Sequence, residues 1–424
     1  MKSIEEIYAA YRESAGVSTD TRTIGEGSMF VALKGERFDA NVMVGEALAR
    51  GAKYVVTSNK DYEGESCAFV VEDTLTTLQE LAAYHRDQLD IPVVGITGSN
   101  GKTTTKELVT AVLGAKYRVV ATKGNLNNHI GVPLTLLSIG SDAEVAVVEM
   151  GASHPGEIAE LAAIAKPTMG LVTNVGIAHI EGFGSFEGVK QTKAALYKQI
   201  MAMGGVAIYD SENEDIVDMI GEYENIVPYV AAKVIEGEEE TMEMEWADAS
   251  EAHYVKTQLC GDYNVKNAQA AITVGRLLGV DADKIDKAIE DYVPTNGRSQ
   301  VLETGRNHLI VDAYNANPSS MAAALDNFEH RRGEHKCVIL GAMRELGVEE
   351  VPQHLRVMER LAGMGLDEVI LIGEEYGKHR EKYPAFKYFG TTVDSVETVK
   401  GLTGKYILLK GSNSNKLSQL TEYL

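Results

Sequence analysis

Short apolar runs at 91–96, 117–121, 145–149, 169–173 and 205–209 alternate with helical patterns in the middle of this chain. That rhythm predicts a mostly parallel sheet covered by helices, with ligands at the carboxyl ends of the strands. The first 88 residues mix strand candidates at 28–33 and 53–56 with helices and predict a small α/β unit. Helical patterns return at 265–278 and 282–292, and Pro294-Thr295-Asn296-Gly297 then gives a turn-rich boundary. Beyond it, strand candidates at 309–311, 337–340, 368–372 and 406–409 predict a third α/β unit. The expected fold class is α/β in three domains, 1–88, 89–297 and 298–424. The stretch 225–260 is acidic and strand-like, and its run from Glu236 to Glu245 reads as the solvated face of a hairpin.

A chain of 424 residues has room for about two to four domains, so three is within the ordinary range. Its 40 basic and 62 acidic side chains leave a net charge of −22, which argues against nucleic acid or an anionic membrane as the main partner. An anionic ligand must then be held by a local positive site. Cys67, Cys260 and Cys337 are isolated, which points to neither a disulfide framework nor a zinc site. The amino-terminal residues do not resemble a signal peptide, and no apolar run approaches a membrane span. The expected setting is the cytoplasm, without membrane insertion.

One local site stands out. Gly95-Ile96-Thr97-Gly98-Ser99-Asn100-Gly101-Lys102-Thr103-Thr104-Thr105 lies between an apolar run and a helix-like stretch from Lys106 to Leu113. This is a phosphate-binding loop between strand and helix. Gly98 and Gly101 let backbone N–H groups close on phosphate oxygens, and the helix aims its positive end at the anion. Lys102 would neutralise outer phosphates and Thr103 would offer a hydroxyl to magnesium. The spacing is a variant, because the strict pattern would put a glycine where this chain has Ile96.

Glu149 ends the apolar run 145–149, where an acid near a phosphate loop serves either as a magnesium partner or as an ordinary strand-end acid. His179 follows the 169–173 run and is open to the same two readings, ligand or structural histidine. The segment 122–133 gathers Asn125, Asn127, Asn128, Gly124 and Gly131, residues that suit either turns or polar contacts to a ligand.

Together these motifs resemble the Mur ligases, ATP-dependent amide-forming enzymes of peptidoglycan precursor synthesis, and the likeness runs through the whole chain. It rests on the variant loop 97–105, on Gly124-Asn125-Leu126-Asn127-Asn128-His129-Ile130-Gly131-Val132-Pro133, and on Glu149-Met150-Gly151-Ala152 followed by Gly156-Glu157-Ile158. Most specific is Asp312-Ala313-Tyr314-Asn315-Ala316-Asn317-Pro318-Ser319-Ser320-Met321, which matches the family's dipeptide-adding branch. The resemblance implies a small uridine-nucleotide-binding domain, a central phosphate-loop ATPase domain and a Rossmann-like carboxyl-terminal domain. It implies ATP and Mg2+, an acceptor UDP-N-acetylmuramoyl-tripeptide, D-Ala-D-Ala as the added group, an acyl phosphate on the way, and a monomer. The product would serve the cell wall, and through it cell shape and division.

The resemblance also assigns roles. Thr97, Gly98, Ser99, Asn100, Gly101, Lys102, Thr103, Thr104 and Asn315 would bind ATP, with Asn264 and Asn267 at the adenine, Arg298 on the phosphates, and Asp312 at the ribose. Thr103, Glu149, His179 and a carbamylated Lys193 would hold the metal; Lys102, Lys193, His179 and Arg298 would be catalytic. Carbamylation turns a cation that would repel magnesium into an anionic oxygen ligand. Without the resemblance Lys193 reads as an exposed helix lysine, and Lys190, one turn earlier, competes for the role. Asp20, Thr21, Arg22, Lys34, Gly35, Asn127 and Asn128 would bind the nucleotide-linked substrate.

The chain departs from the family pattern at Ala40-Asn41, in place of Gly-His, at Ala342, in place of an acid, and at Asn413, in place of an arginine. The alternatives are an amino-acid-adding ligase of the same family, a folylpolyglutamate synthase, or a nucleotide-dependent switch that forms no bond.

Overall fold

The computed structural model describes residues 2–235, 241–295, 297–331 and 333–424. Three α/β units follow one another along the chain. In the first, four parallel strands lie in the order Val17–Ser18, Met29–Val31, Tyr54–Thr57, Ala68–Val70, with helices Ile4–Arg12, Val44–Ala49 and Thr74–Asp87 around them. Asp73 starts the last of these helices by accepting a hydrogen bond from the Thr76 N–H.

The second unit is built on six parallel strands, in the order Ile226–Pro228, Val206–Tyr209, Met169–Val172, Val93–Thr97, Val145–Glu149, Val119–Ala121. Val93–Thr97 and Val145–Glu149 are buried at every position, as expected of central strands covered on both faces. The register sets Ile96 beside Glu149 and Thr97 beside Val172, so the strand ends meet at one edge. Helix Lys102–Gly114 leaves the first of these ends, and helix Val265–Leu277 packs against it. Their close approach depends on Gly275, where an added Cβ would stand 2.5 Å from Val112 Cγ1.

Strands Ala232–Val234, Thr241–Ala247 and Ala252–Cys260 form an antiparallel sheet beside this unit. Burial alternates along the last two strands, with Met242, Met244 and Trp246 inward and Glu243 and Glu245 outward. The acidic hairpin face expected from the sequence is therefore present over 241–245, while Glu236 to Glu240 lie outside the described residues.

The third unit holds strands in the order Gln300–Glu303, His308–Asp312, Tyr406–Lys410, Lys336–Gly341, Glu368–Ile372, Lys387–Phe389. All pairs are parallel except the first. Helix Pro318–His330 starts at Asn317, whose side chain caps the Ser320 N–H in a capping box. Asn296, part of the turn expected before this unit, lies outside the described residues. Among the described residues no helix is long and apolar enough to cross a membrane.

Candidate active site

A cleft of about 870 Å³ opens at the carboxyl ends of the central strands and is roofed by the third unit. Its floor is the phosphate loop. Gly98 (φ +145°) and Gly101 (φ +77°) hold conformations that side chains rarely adopt, and a Cβ on Gly98 would lie 2.0 Å from Thr173 Oγ1. Asn174 fastens the loop from the next strand, accepting the Asn100 N–H at 2.9 Å and donating to the Asn100 carbonyl at 3.1 Å. Lys102 Nζ folds back onto the carbonyls of Gly98 (2.7 Å) and Ser99 (3.1 Å). Burial lowers its pKa, Glu149 opposes that shift, and Arg298 adds to it.

Glu149 is the most informative side chain here. It is 1% exposed, and its Oε1 accepts from Thr103 Oγ1 at 3.2 Å and from Asn127 Nδ2 at 2.7 Å. Its Oε2 is buried with no hydrogen-bond partner among the described residues. An anionic oxygen left bare in a buried site is costly unless a cation or donor meets it. Beside the Thr103 hydroxyl, this donor set fits a hard divalent cation.

Lys193 corrects one expectation. Read from the residues alone it was an exposed helix lysine, yet it is 2% exposed on helix Phe186–Ala202, with Nζ 5.5 Å over the Phe183 ring. Burial, and then the like charge of Lys102, lower its pKa to about 7. Lys190 is the opposite case. It pairs with Asp218 at 2.7 Å and Asp215 at 3.0 Å, contacts that hold its ammonium charged well above the usual lysine range.

His179 lines the cleft with φ +53°, and its Nδ1 meets Glu345 Oε2 from the third unit. Burial lowers its pKa, Glu345 opposes this, and Lys102 and Lys193 add to it, which favours the neutral ring.

Asn264 and Asn267 lie under the loop. Asn267 Nδ2 donates to Asn264 Oδ1 at 2.8 Å, Asn267 Oδ1 accepts from Thr105 Oγ1 at 3.0 Å, and Asn264 Nδ2 donates to the Cys260 carbonyl at 2.8 Å. A Cβ on Gly101 would stand 2.5 Å from Asn267 Oδ1. The two amides therefore buttress the loop as well as lining the cleft. On the opposite wall Arg298 stacks 3.6 Å from the Tyr314 ring centre, and Asp312 pairs with the buried ammonium of Lys410, its neighbour in strand register. Asn315 lines the same wall.

The cleft thus brings together Ser99 to Thr104, Asn127, Asn128, Glu149, His179, Asn264, Asn267, Arg298, Asp312 and Asn315. Thr97 lies beneath it, fully buried, with Oγ1 on the Met150 carbonyl at 2.7 Å. Asp20, Thr21, Arg22, Lys34 and Gly35 belong to the first unit and do not line it. There Asp20 caps the turn Thr21–Thr23 and pairs with Arg22, whose side chain is otherwise largely exposed.

Sequence reasoning missed three contributors. Asn317 Nδ2 donates to Asn100 Oδ1 at 2.7 Å, Ser319 Oγ accepts from the Ile177 N–H at 3.2 Å, and Glu345 reaches His179. Asn-Pro at 317–318 carried a helix-start signal; nothing local marked the cross-unit reach of any of the three.

A phosphate loop facing a bare acid, with a separate unit closing the space above, is built for chemistry on a bound nucleotide, and it defines an enzyme of the phosphate-loop class. Comparison with known proteins narrows the class. Residues 96–275 match the Mur ligase middle domain, and residues 297–412 match the Mur ligase, glutamate ligase domain. The chain is 34% identical to the UDP-N-acetylmuramoyl-tripeptide--D-alanyl-D-alanine ligase of Bacillus subtilis, over 96% of this chain and 93% of that one. It superposes on the crystal structure of MurF from Acinetobacter baumannii with a TM-score of 0.88 at 29% identity, covering 99% and 98% of the two chains. MurF ligase from Thermotoga maritima in complex with ADP gives 0.84 at 28%, covering 100% and 98%. The chain belongs to the Mur ligase family.

Proposed function

We propose that the protein joins D-alanyl-D-alanine to UDP-N-acetylmuramoyl-tripeptide at the expense of ATP, as a monomer in the cytoplasm. The observation that carries this reading is Glu149, whose buried Oε2 has no partner among the described residues, beside the Thr103 hydroxyl and the phosphate loop. The names of the relatives supply the two substrates, and the ADP complex of one of them supports ATP at the loop.

Magnesium would be held by Glu149, the Thr103 hydroxyl, His179 and carbamylated Lys193, and when bound it would offset phosphate charge. Buried Lys193 suits the modification: a neutral amine forms an N–C bond to carbon dioxide and loses one proton. Lys102 would exchange its loop carbonyls for phosphate oxygens, and Arg298 would meet them from the facing wall.

The tripeptide carboxylate then attacks the γ-phosphorus, the bond to ADP breaks, and an acyl phosphate forms. The dipeptide's amine attacks the acyl carbon, loses a proton, and phosphate leaves. The protein's share is to hold the reactants together and keep water from the acyl phosphate. Asp20, Thr21, Arg22, Lys34 and Gly35 would hold the uridine nucleotide, with Asn127 and Asn128 nearer the peptide end.

The test is phosphate release from ATP and magnesium with the nucleotide tripeptide, with and without D-Ala-D-Ala, followed by product mass. Dipeptide-dependent release with a product heavier by the dipeptide supports the proposal. Release independent of the dipeptide, or none, overturns it.

A further inference from the structure

Where the third unit meets the central one, two non-glycine residues with left-handed backbones face each other. His179 has φ +53° and Glu345 has φ +61°. Such conformations persist where the surrounding structure imposes them, and they gather at functional sites. Here they carry a side-chain pair across the junction, His179 Nδ1 to Glu345 Oε2.

The backbone supports the same contact, since the Glu181 N–H points to the Glu345 carbonyl at 3.5 Å. Glu345 itself is more than half exposed, so its carboxylate is not there to fill a core. An ordinary exposed ion pair would need neither strained backbone nor a partner facing the cleft.

The donor and acceptor roles follow from chemistry. A carboxylate can only accept, so Nδ1 carries the proton, and on a neutral ring Nε2 then keeps its lone pair. The ring edge also packs near Phe183, 6.4 Å between centroids, and Phe183 in turn lies under Lys193 Nζ. Phe183 thus lies beside both His179 and Lys193.

We propose that Glu345 is a positioning residue: from the third unit it holds the Nδ1 proton of His179, presents Nε2 to the cation site, and so completes that site only when the two units are docked. The inference rests on the reading of His179 as a ligand under Proposed function. Carboxylates that orient a ligating histidine typically affect metal affinity by 10–100-fold, roughly.

The test uses the full chain and Mn2+ as the probe, titrated in the presence of ADP and followed by the spin-resonance signal of the free ion. Glu345→Ala should weaken Mn2+ binding about tenfold. Glu345→Gln, whose amide oxygen still accepts the Nδ1 proton, should recover most of the loss, and Glu345→Ala added to His179→Ala should cost nothing more. Unchanged Mn2+ affinity in Glu345→Ala, while His179→Ala is weakened, overturns the proposal and leaves the metal reading standing. Unchanged affinity in His179→Ala overturns the metal reading and the proposal with it. Should Glu345→Ala fail to fold, nitrogen NMR of the His179 ring in wild type and Glu345→Gln decides: a proton on Nδ1 supports the role, and a proton on Nε2 alone overturns it.

Discussion

The two junctions of this molecule are made of different materials. Between the first unit and the central one there is a shared apolar core: Ile7, Tyr11, Leu78 and Leu81 pack in one cluster with Val132, Leu136, Ile158 and Leu161. Arg86 reinforces it from a buried position, donating to the carbonyls of Ala165 and Lys166 at 3.0 Å, at the end of helix Glu157–Ala165. Between the central unit and the third one the contacts are mostly polar: Asn317 on Asn100, Ser319 on Ile177, Glu345 on His179. The core of the third unit is its own, with Cys260 the central unit's contribution to one of its clusters.

A buried leucine contributes about 2 kcal/mol, whereas a hydrogen bond that water can replace contributes about 1 kcal/mol. The first junction is therefore expected to resist separation more than the second, whose contacts water can replace.

Four experiments press on that contrast. The largest effect is expected at the polar junction: Lys102→Ala should lower turnover by about 10³-fold while circular dichroism and the melting temperature stay near wild type. Near-normal turnover would remove Lys102 from the chemistry. In the apolar junction, Leu81→Ala should cost about 2–5 kcal/mol in urea unfolding, with little change in turnover per folded molecule. A loss under about 1 kcal/mol would mean that the shared core does not bind the units together.

The buried amine at Lys193 gives a pH test. Its pKa is lowered, so the neutral form exists above about pH 7 and the ammonium below it. At a fixed concentration of dissolved carbon dioxide, activity should therefore return to protein stripped of it faster at pH 8 than at pH 6, and equal rates would speak against carbamylation there. Smallest is Ser319→Ala, which removes one cross-junction bond. It should shift stability by about 1 kcal/mol or less yet raise KM for ATP several-fold. A stability loss as large as that of Leu81→Ala would erase the distinction between the junctions.

Much of the fold was legible because its signals are local. The run 145–149 coincides with strand Val145–Glu149, and 265–278 differs from helix Val265–Leu277 by one residue. Helix Lys102–Gly114 begins four residues before the expected start, because left-handed Gly101 ends the loop and lets Lys102 open the first turn. The loop and Glu149 were visible as candidates, and strand register then joined them. The burial of Lys193 was not visible: a lysine on a helix says nothing about what covers it, and here its ammonium lies over the Phe183 ring.

What residue order alone settled about this protein is its periodicity, its glycine turns and its motifs: three α/β units, a phosphate loop and a family. Those depend on neighbours a few residues apart. Folding decided that Glu149 Oε2 is buried without a partner among the described residues, that Lys193 is stripped of water, and that Glu345 reaches His179 across 166 residues of chain. Burial and cross-unit contact are properties of surfaces brought together, and no spacing along the chain encodes them.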